Sequence, residues 1–204
     1  MKYLLSILLL LFINQNKIDA QRVIKYADKK FSYTLIKDSI IIARLIDNKI
    51  IQTLIPKKQS NSLWNKYDFH IEDMNFDGYS DIRLINEANG INMKYLCWLY
   101  NPSKEIFEEN KILENIISPF FDFKRKRIIS AWSNNTNQFG KSIYKYENGN
   151  LLLYESREDK INSEANDSVI VIIQKRINAD LITNRSVYSI TEYKKKSDAV
   201  LSFR

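Results

Sequence analysis

The chain of 204 residues contains one cysteine, one histidine, four glycines and three prolines. Each scarcity excludes something. A lone Cys97 permits no intramolecular disulfide, whatever the compartment. It lies inside Tyr95-Leu-Cys-Trp-Leu-Tyr100, an apolar run of buried-strand type, and reads as a packed core thiol. The familiar histidine-dependent hydrolase arrangements would all have to use His70, which alternation places on a polar face beside Asp68 and Glu72. No Gly-x-Ser-x-Gly, His-Glu-x-x-His or phosphate-binding glycine loop occurs. Long apolar runs are also missing. The most apolar stretch, around Leu4–Leu11, falls far short of the roughly 20 residues a spanning helix needs.

That run is instead the core of a secretory signal peptide. Lys2 precedes it and Ala20 follows a polar stretch, which predicts cleavage before Gln21 and an exported protein, periplasmic or secreted. No cysteine marks the cleavage point, so the chain carries no lipoprotein anchoring signal. The formal net charge of +7 drops by one when Lys2, Lys17 and Asp19 leave with the leader. Residues 21–204 form one domain in this reading, since no linker, repeat or low-complexity tract interrupts them, and a chain of that size can bury about 70% of its unfolded surface.

Short β-branched or aromatic runs broken by Asn, Asp, Lys and Gly predict an all-β, mostly antiparallel fold, a propeller-like or sandwich-like meander with one short helix. Strands are expected near 31–36, 39–46, 49–55, 67–72, 81–86, 93–100, 106–107, 127–132, 142–146, 151–155, 168–174 and 186–193. The helix is expected over 108–117, where Ile112, Leu113, Ile116 and Ile117 recur at helical spacing before Pro119. Asn148-Gly149 predicts a tight hairpin.

The stretch Asp73-Met-Asn-Phe-Asp-Gly-Tyr-Ser-Asp81 carries oxygen donors at alternate positions. In EF-hand register, Asp73, Asn75, Asp77, the Tyr79 carbonyl and Asp81 take positions 1, 3, 5, 7 and 9 of a loop at 73–84, with Gly78 at the sharp turn. Hard oxygen ligands at this spacing suit Ca²⁺, and the ligand positions hold no nitrogen or sulfur ligand for zinc or copper. Leu84 stands where position 12 calls for a bidentate glutamate, leaving Glu72 or Glu87 to complete the set. Flanking alternation at Tyr67, Phe69, Ile71, Ile82 and Leu84 makes this a loop between strands. The ion is expected to stabilise the fold, because carboxylates around a cation stay ionised and are poor general acids.

The acids Glu105, Glu108, Glu109 and Glu114 offer pairs for glycosidase chemistry, with a solvated acidic turn as the alternative. Lys124-Arg-Lys-Arg127 interrupts the aromatic segment Phe120-Phe-Asp-Phe123. Export argues against nucleic acid as its partner, leaving a solvated turn or docking to an anionic surface or acidic protein.

The segment Ile71-Glu-Asp-Met-Asn-Phe-Asp-Gly-Tyr-Ser-Asp-Ile-Arg-Leu84, then Tyr95-Leu-Cys-Trp-Leu-Tyr-Asn101 and Phe107, resembles a bacterial family of exported β proteins. The resemblance runs on through Ile117-Ser-Pro-Phe-Phe-Asp122, Ile128-Ile-Ser-Ala-Trp132 and Tyr144 to the Asn148-Gly149 hairpin, and spans about Tyr67 to Glu155. That family is similar to the periplasmic inhibitors of invertebrate-type lysozyme and includes immunity proteins against peptidoglycan-degrading toxins. The resemblance implies a calcium-containing β fold, no enzymatic activity, and a protruding loop that plugs the cleft of a peptidoglycan hydrolase. The segment to serve as that loop is 130–144, a polar excursion between two strands, with Ser133, Gly140, Ser142 and Tyr144 at or near its tip. Trp132 and Phe139 supply aromatic anchors of the kind that dominate interfaces. A calcium-stabilised surface or adhesion module that binds a glycan or protein is the alternative. A positive net charge would steer the protein away from basic lysozymes unless a local acidic face prevails.

Overall fold

The computed structural model describes residues 23–36, 38–57, 68–134, 137–162 and 168–200. The leader expected at 1–20 lies outside the described residues. Those described fall into two compact units, one ending at Lys57 and one running from residue 68 onward.

In the first unit, β1 (Val23–Ala27), β2 (Phe31–Ile36), β3 (Ser39–Arg44) and β4 (Ile50–Leu54) form an antiparallel sheet in chain order. Strict alternation puts Phe31, Tyr33 and Leu35 of β2 on one face with Ile40 and Ile42 of β3, and all five are buried. Asp28 shapes the β1–β2 turn. Its carboxylate accepts N–H bonds from Lys30 and Phe31 and the Tyr33 hydroxyl at 2.7 Å each.

The second unit holds two more meanders. β5 (Phe69–Glu72), β6 (Asp81–Asn89), β7 (Asn92–Asn101) and β8 (Ile106–Glu109) make a four-stranded sheet in that order. A six-stranded sheet follows, from β9 (Pro119–Asp122) through β10 (Arg127–Asn134), β11 (Gln138–Glu147), β12 (Asn150–Ile161) and β13 (Ser168–Ile177) to β14 (Asp180–Ser189). The fold is therefore all-β and antiparallel throughout, as the short alternating runs predict. Each strand pairs with its neighbour in sequence because short turns leave it little else within reach.

One core joins the two sheets of this unit. Met74 from the acidic loop, Tyr95 and Cys97 from β7, Leu113 and Ile116 from the β8–β9 connection, and Phe121 and Ile128 from β9 and β10 pack together. Cys97 is fully buried, and burial pushes its thiol far above the usual range, so it is an inert core group. Arg83 of β6 crosses the same interior. Its guanidinium pairs with Glu72, lies 4.4 Å from the Tyr95 ring centroid and 5.2 Å from that of Phe121, and donates to the Pro119 carbonyl at 3.1 Å.

Three expectations are corrected. The helix expected over 108–117 shrinks to α1 (Lys111–Glu114), because Glu108 and Glu109 belong to β8 and pair with Leu99 and Trp98. Asn110 caps it, accepting the Leu113 N–H at 3.0 Å. Pro119 does not follow a long helix but opens β9, an edge strand, where a missing N–H is tolerated. The strand expected over 186–193 ends at Ser189, and α2 (Ile190–Val200) continues the chain. Ser189 and Glu192 bond reciprocally at its start, which is a capping box the sequence carried.

Candidate functional site

The acidic loop lies between β5 and β6. Its order comes from its own aspartates. Asp73 accepts the N–H groups of Asp77 at 3.0 Å and Gly78 at 2.9 Å, Asn75 accepts from Asp77 at 3.2 Å, and Asp77 accepts from Tyr79 at 2.9 Å. These inward bonds curl the chain, with Gly78 at φ +92° and Phe76 at φ +62°. Phe76 offsets that strain by packing edge-on against Tyr146 and Phe123, with centroids 6.3 and 6.0 Å apart.

Asp81 stands apart from the others. It is completely buried at the start of β6, and its two oxygens accept the N–H groups of Met74 at 2.7 Å and Tyr100 at 2.9 Å. Burial raises its pKa to about 7, against the pull of those two bonds, and Asp77 and Asp73 add to the rise. Asp81 thus ties the loop to β7. Nearby, the Tyr146 hydroxyl is buried without a hydrogen-bond partner, and burial together with the field of Asp81 raises its pKa.

The donor set of Asp73, Asn75, Asp77 and the Tyr79 carbonyl is all hard oxygen, the chemistry a Ca²⁺ ion requires. Among the described residues no group of three or more His, Cys, Asp or Glu side chains is gathered around a point that a metal could fill. Asp81 is buried behind this set, each of its oxygens accepting one backbone N–H. Leu84, at the twelfth position, is fully buried between Phe69 and Leu96 in the sheet register, so it belongs to the core.

The second predicted site is more regular than a polar excursion. β10 and β11 pair from Arg127 with Lys145 to Asn134 with Gln138, and of the connecting residues Asn135 and Thr136 lie outside those described. Ser142 is buried within β11 opposite Ser130, whose hydroxyl donates to the Ile117 carbonyl at 2.6 Å. Tyr144 packs on the core. Neither belongs to a tip.

The end of the hairpin retains Trp132, Ser133, Phe139 and Gly140. Trp132 faces Gly140 so closely that a Cβ there would meet its indole atoms at 2.6 Å, so only glycine leaves the ring its seat. Asn92, at the start of β7, accepts the Ser133 N–H at 3.0 Å and donates to the Ser133 carbonyl at 2.6 Å. This double bond-pair docks the hairpin onto the β6–β7 turn, where Ile91 is exposed. Phe139 is exposed across from Ser133. Sequence reasoning missed Asn92, because an asparagine next to a Gly-containing turn looks like turn chemistry until the fold brings it to a strand 41 residues away.

Three of the four acids considered for glycosidase chemistry, Glu108, Glu109 and Glu114, are tied to lysines. Glu108 is held below the usual carboxylate range by Asn101 and Lys104, and Lys111 bonds both Glu109 and Glu114. A general acid needs the opposite shift.

No family model matches the chain, and no curated protein does. A solved structure described as that of a Xanthomonas type IV secretion system related protein is similar over 82% of this chain and 95% of its own, with a TM-score of 0.61 and 17% identity. At that identity the likeness extends to the fold.

Proposed function

We propose that this is an exported, non-enzymatic protein whose acidic loop binds Ca²⁺ and whose β10–β11 hairpin enters the cleft of a peptidoglycan hydrolase of lysozyme or toxin type. The observation that carries this reading is the hairpin end. Trp132 is seated on Gly140 and the Asn92–Ser133 pair fixes the strand, while Phe139 and Ile91 remain exposed. Aromatic side chains on strands already fixed in place bind with little ordering cost, which is what insertion into a cleft rewards. The similar fold of a protein described as related to a bacterial secretion system is in keeping with export.

Asp73, Asn75, Asp77 and the Tyr79 carbonyl would hold the ion. Bound there, Ca²⁺ supplies positive charge that offsets the mutual repulsion of Asp73, Asp77 and Asp81. The chain's own residues position Phe76 and, through it, Tyr146 of β11, which places the loop in packing contact with the strand that carries Gly140.

The test is protection of a peptidoglycan suspension from a panel of lysozyme-type and toxin hydrolases, read as turbidity, in calcium and in chelator. Stoichiometric protection that Phe139→Ala weakens supports inhibition. Absence of protection against every panel member, with retention on cell-wall polysaccharide, would replace it with the adhesion reading.

A further inference from the structure

At the β9–β10 turn, the second unit carries a band of rings and cations that the hairpin site does not use. Phe120 and Phe123 are 64% and 52% exposed, and Lys124, Arg125 and Lys126 are exposed between Phe123 and β10. Asp122 organises the turn. It accepts the Arg125 N–H at 3.1 Å and pairs with the Arg125 and Arg127 guanidinium groups at 3.3 and 2.9 Å. Arg127 stands opposite Lys145 in the register, and the Lys145 ammonium lies 3.7 Å from the centroid of the exposed Tyr154 ring.

Five cations therefore share this end of the sheet with Asp122 and, two residues beyond Lys145, Glu147. Arg127 is offset by Asp122 on its other side and Lys145 rests on the Tyr154 ring, so the fold tolerates the two cations side by side while the group as a whole stays positive. Large exposed rings beside the cations distinguish an anionic bilayer from a merely acidic partner, since headgroups take the charges and rings enter the boundary with the acyl chains.

We infer that the Phe120–Arg127 turn, with Lys145 and Tyr154, is a peripheral docking surface for a bilayer rich in anionic phospholipid. It assumes neither calcium binding nor hydrolase inhibition, although Phe123 touches Phe76 of the acidic loop, and it requires no spanning segment. Among the described residues no helix is long and apolar enough to cross a membrane.

The test is co-sedimentation of the exported form, residues 21–204, with vesicles of phosphatidylglycerol and phosphatidylcholine, beside vesicles of phosphatidylcholine alone. Binding is expected on the anionic vesicles only and is expected to weaken with salt. Each of Lys124→Ala and Lys126→Ala should weaken it about fivefold, since a cation near such a surface contributes about 1 kcal/mol. Both side chains are exposed, so far-UV circular dichroism and the melting temperature should stay unchanged. Phe120→Ser should weaken vesicle binding while leaving retention on inorganic polyphosphate intact, which separates a bilayer from any polyanion. The proposal is overturned by no sedimentation with anionic vesicles, by equal binding to the neutral ones, by indifference to the two lysine changes, or by a silent Phe120→Ser.

Discussion

The acidic loop and the β10–β11 hairpin are held in shape by opposite means. In the loop, Asp73, Asn75 and Asp77 bond to N–H groups two to five residues away, and only Asp81 reaches further, to Tyr100. In the hairpin, the decisive bonds come from Asn92, 41 residues earlier, and from an indole resting on a glycine across the strand pair. Local order of the first kind is written in a short motif and is tuned by charge. Order of the second kind exists only once the sheets have assembled, and is tuned by shape.

The largest way to break this contrast is Asp81→Ala, which strands the Met74 and Tyr100 N–H groups in a dry site. A loss of about 5 kcal/mol is expected in urea unfolding, roughly 1–3 for each N–H and the rest from the void. Such a result would show that the loop leans on the core through one residue. Loss of under about 1 kcal/mol would mean the loop is held locally throughout.

The same residue predicts a pH response. Its folded pKa of about 7 lies above the ordinary 3.8, so the folded state favours its protonated form. The contribution is fully present below about pH 4 and is lost as pH rises through 7, by up to about 4 kcal/mol at roughly 1.4 kcal/mol per unit. Chelator-treated protein should lose stability across that window in denaturant titrations. Asp81→Asn should flatten the slope.

Calcium should counter that loss. At a hundredfold excess over its dissociation constant, an ion that binds only the folded state adds about 2.7 kcal/mol, read as a rise in melting temperature that chelator reverses. Identical melting curves with and without the ion would leave the loop as a turn ordered by hydrogen bonds alone.

Two smaller changes address the hairpin. Gly140→Ala forces a methyl onto the Trp132 ring and should cost about 2 kcal/mol, with a red shift of tryptophan emission as the indole moves. Asn92→Ala removes both bonds to Ser133 and should cost about 1 kcal/mol. Both should weaken hydrolase protection by more than they weaken folding, because the hairpin is freed at its working end. Equal losses in both would deny the hairpin a binding role.

Most of the architecture was legible because neighbouring strands pair. Alternation at Phe31–Ile36 marks a strand with one buried face, and Asn148-Gly149 marks a turn, without knowledge of anything distant. Failures came where a local pattern met a stronger partner. Glu108 and Glu109 have good helix propensity but were drawn into β8 by pairing with β7, and Ile190 left an apolar strand pattern once Ser189 and Glu192 formed a cap. A further case is the β12–β14 end of the sheet, where Tyr193 of α2 donates to the buried Asp159 at 2.8 Å beside Arg157, and no spacing announces that trio.

What the sequence determined by itself was the meander, the curl of the 73–79 loop and the oxygen character of its donors, since each depends on residues within a few positions of one another. Only the tertiary structure decided that Asp81 anchors the loop to β7, that Leu84 belongs to the core, and that Ser142 and Tyr144 sit inside a sheet. It also decided that Asn92 grips Ser133 and that Arg127 meets Lys145. Those outcomes turn on which face of a strand is buried and which strand lies beside it. Both are fixed by the sum of packing across the whole unit, and no short window of residues contains that sum.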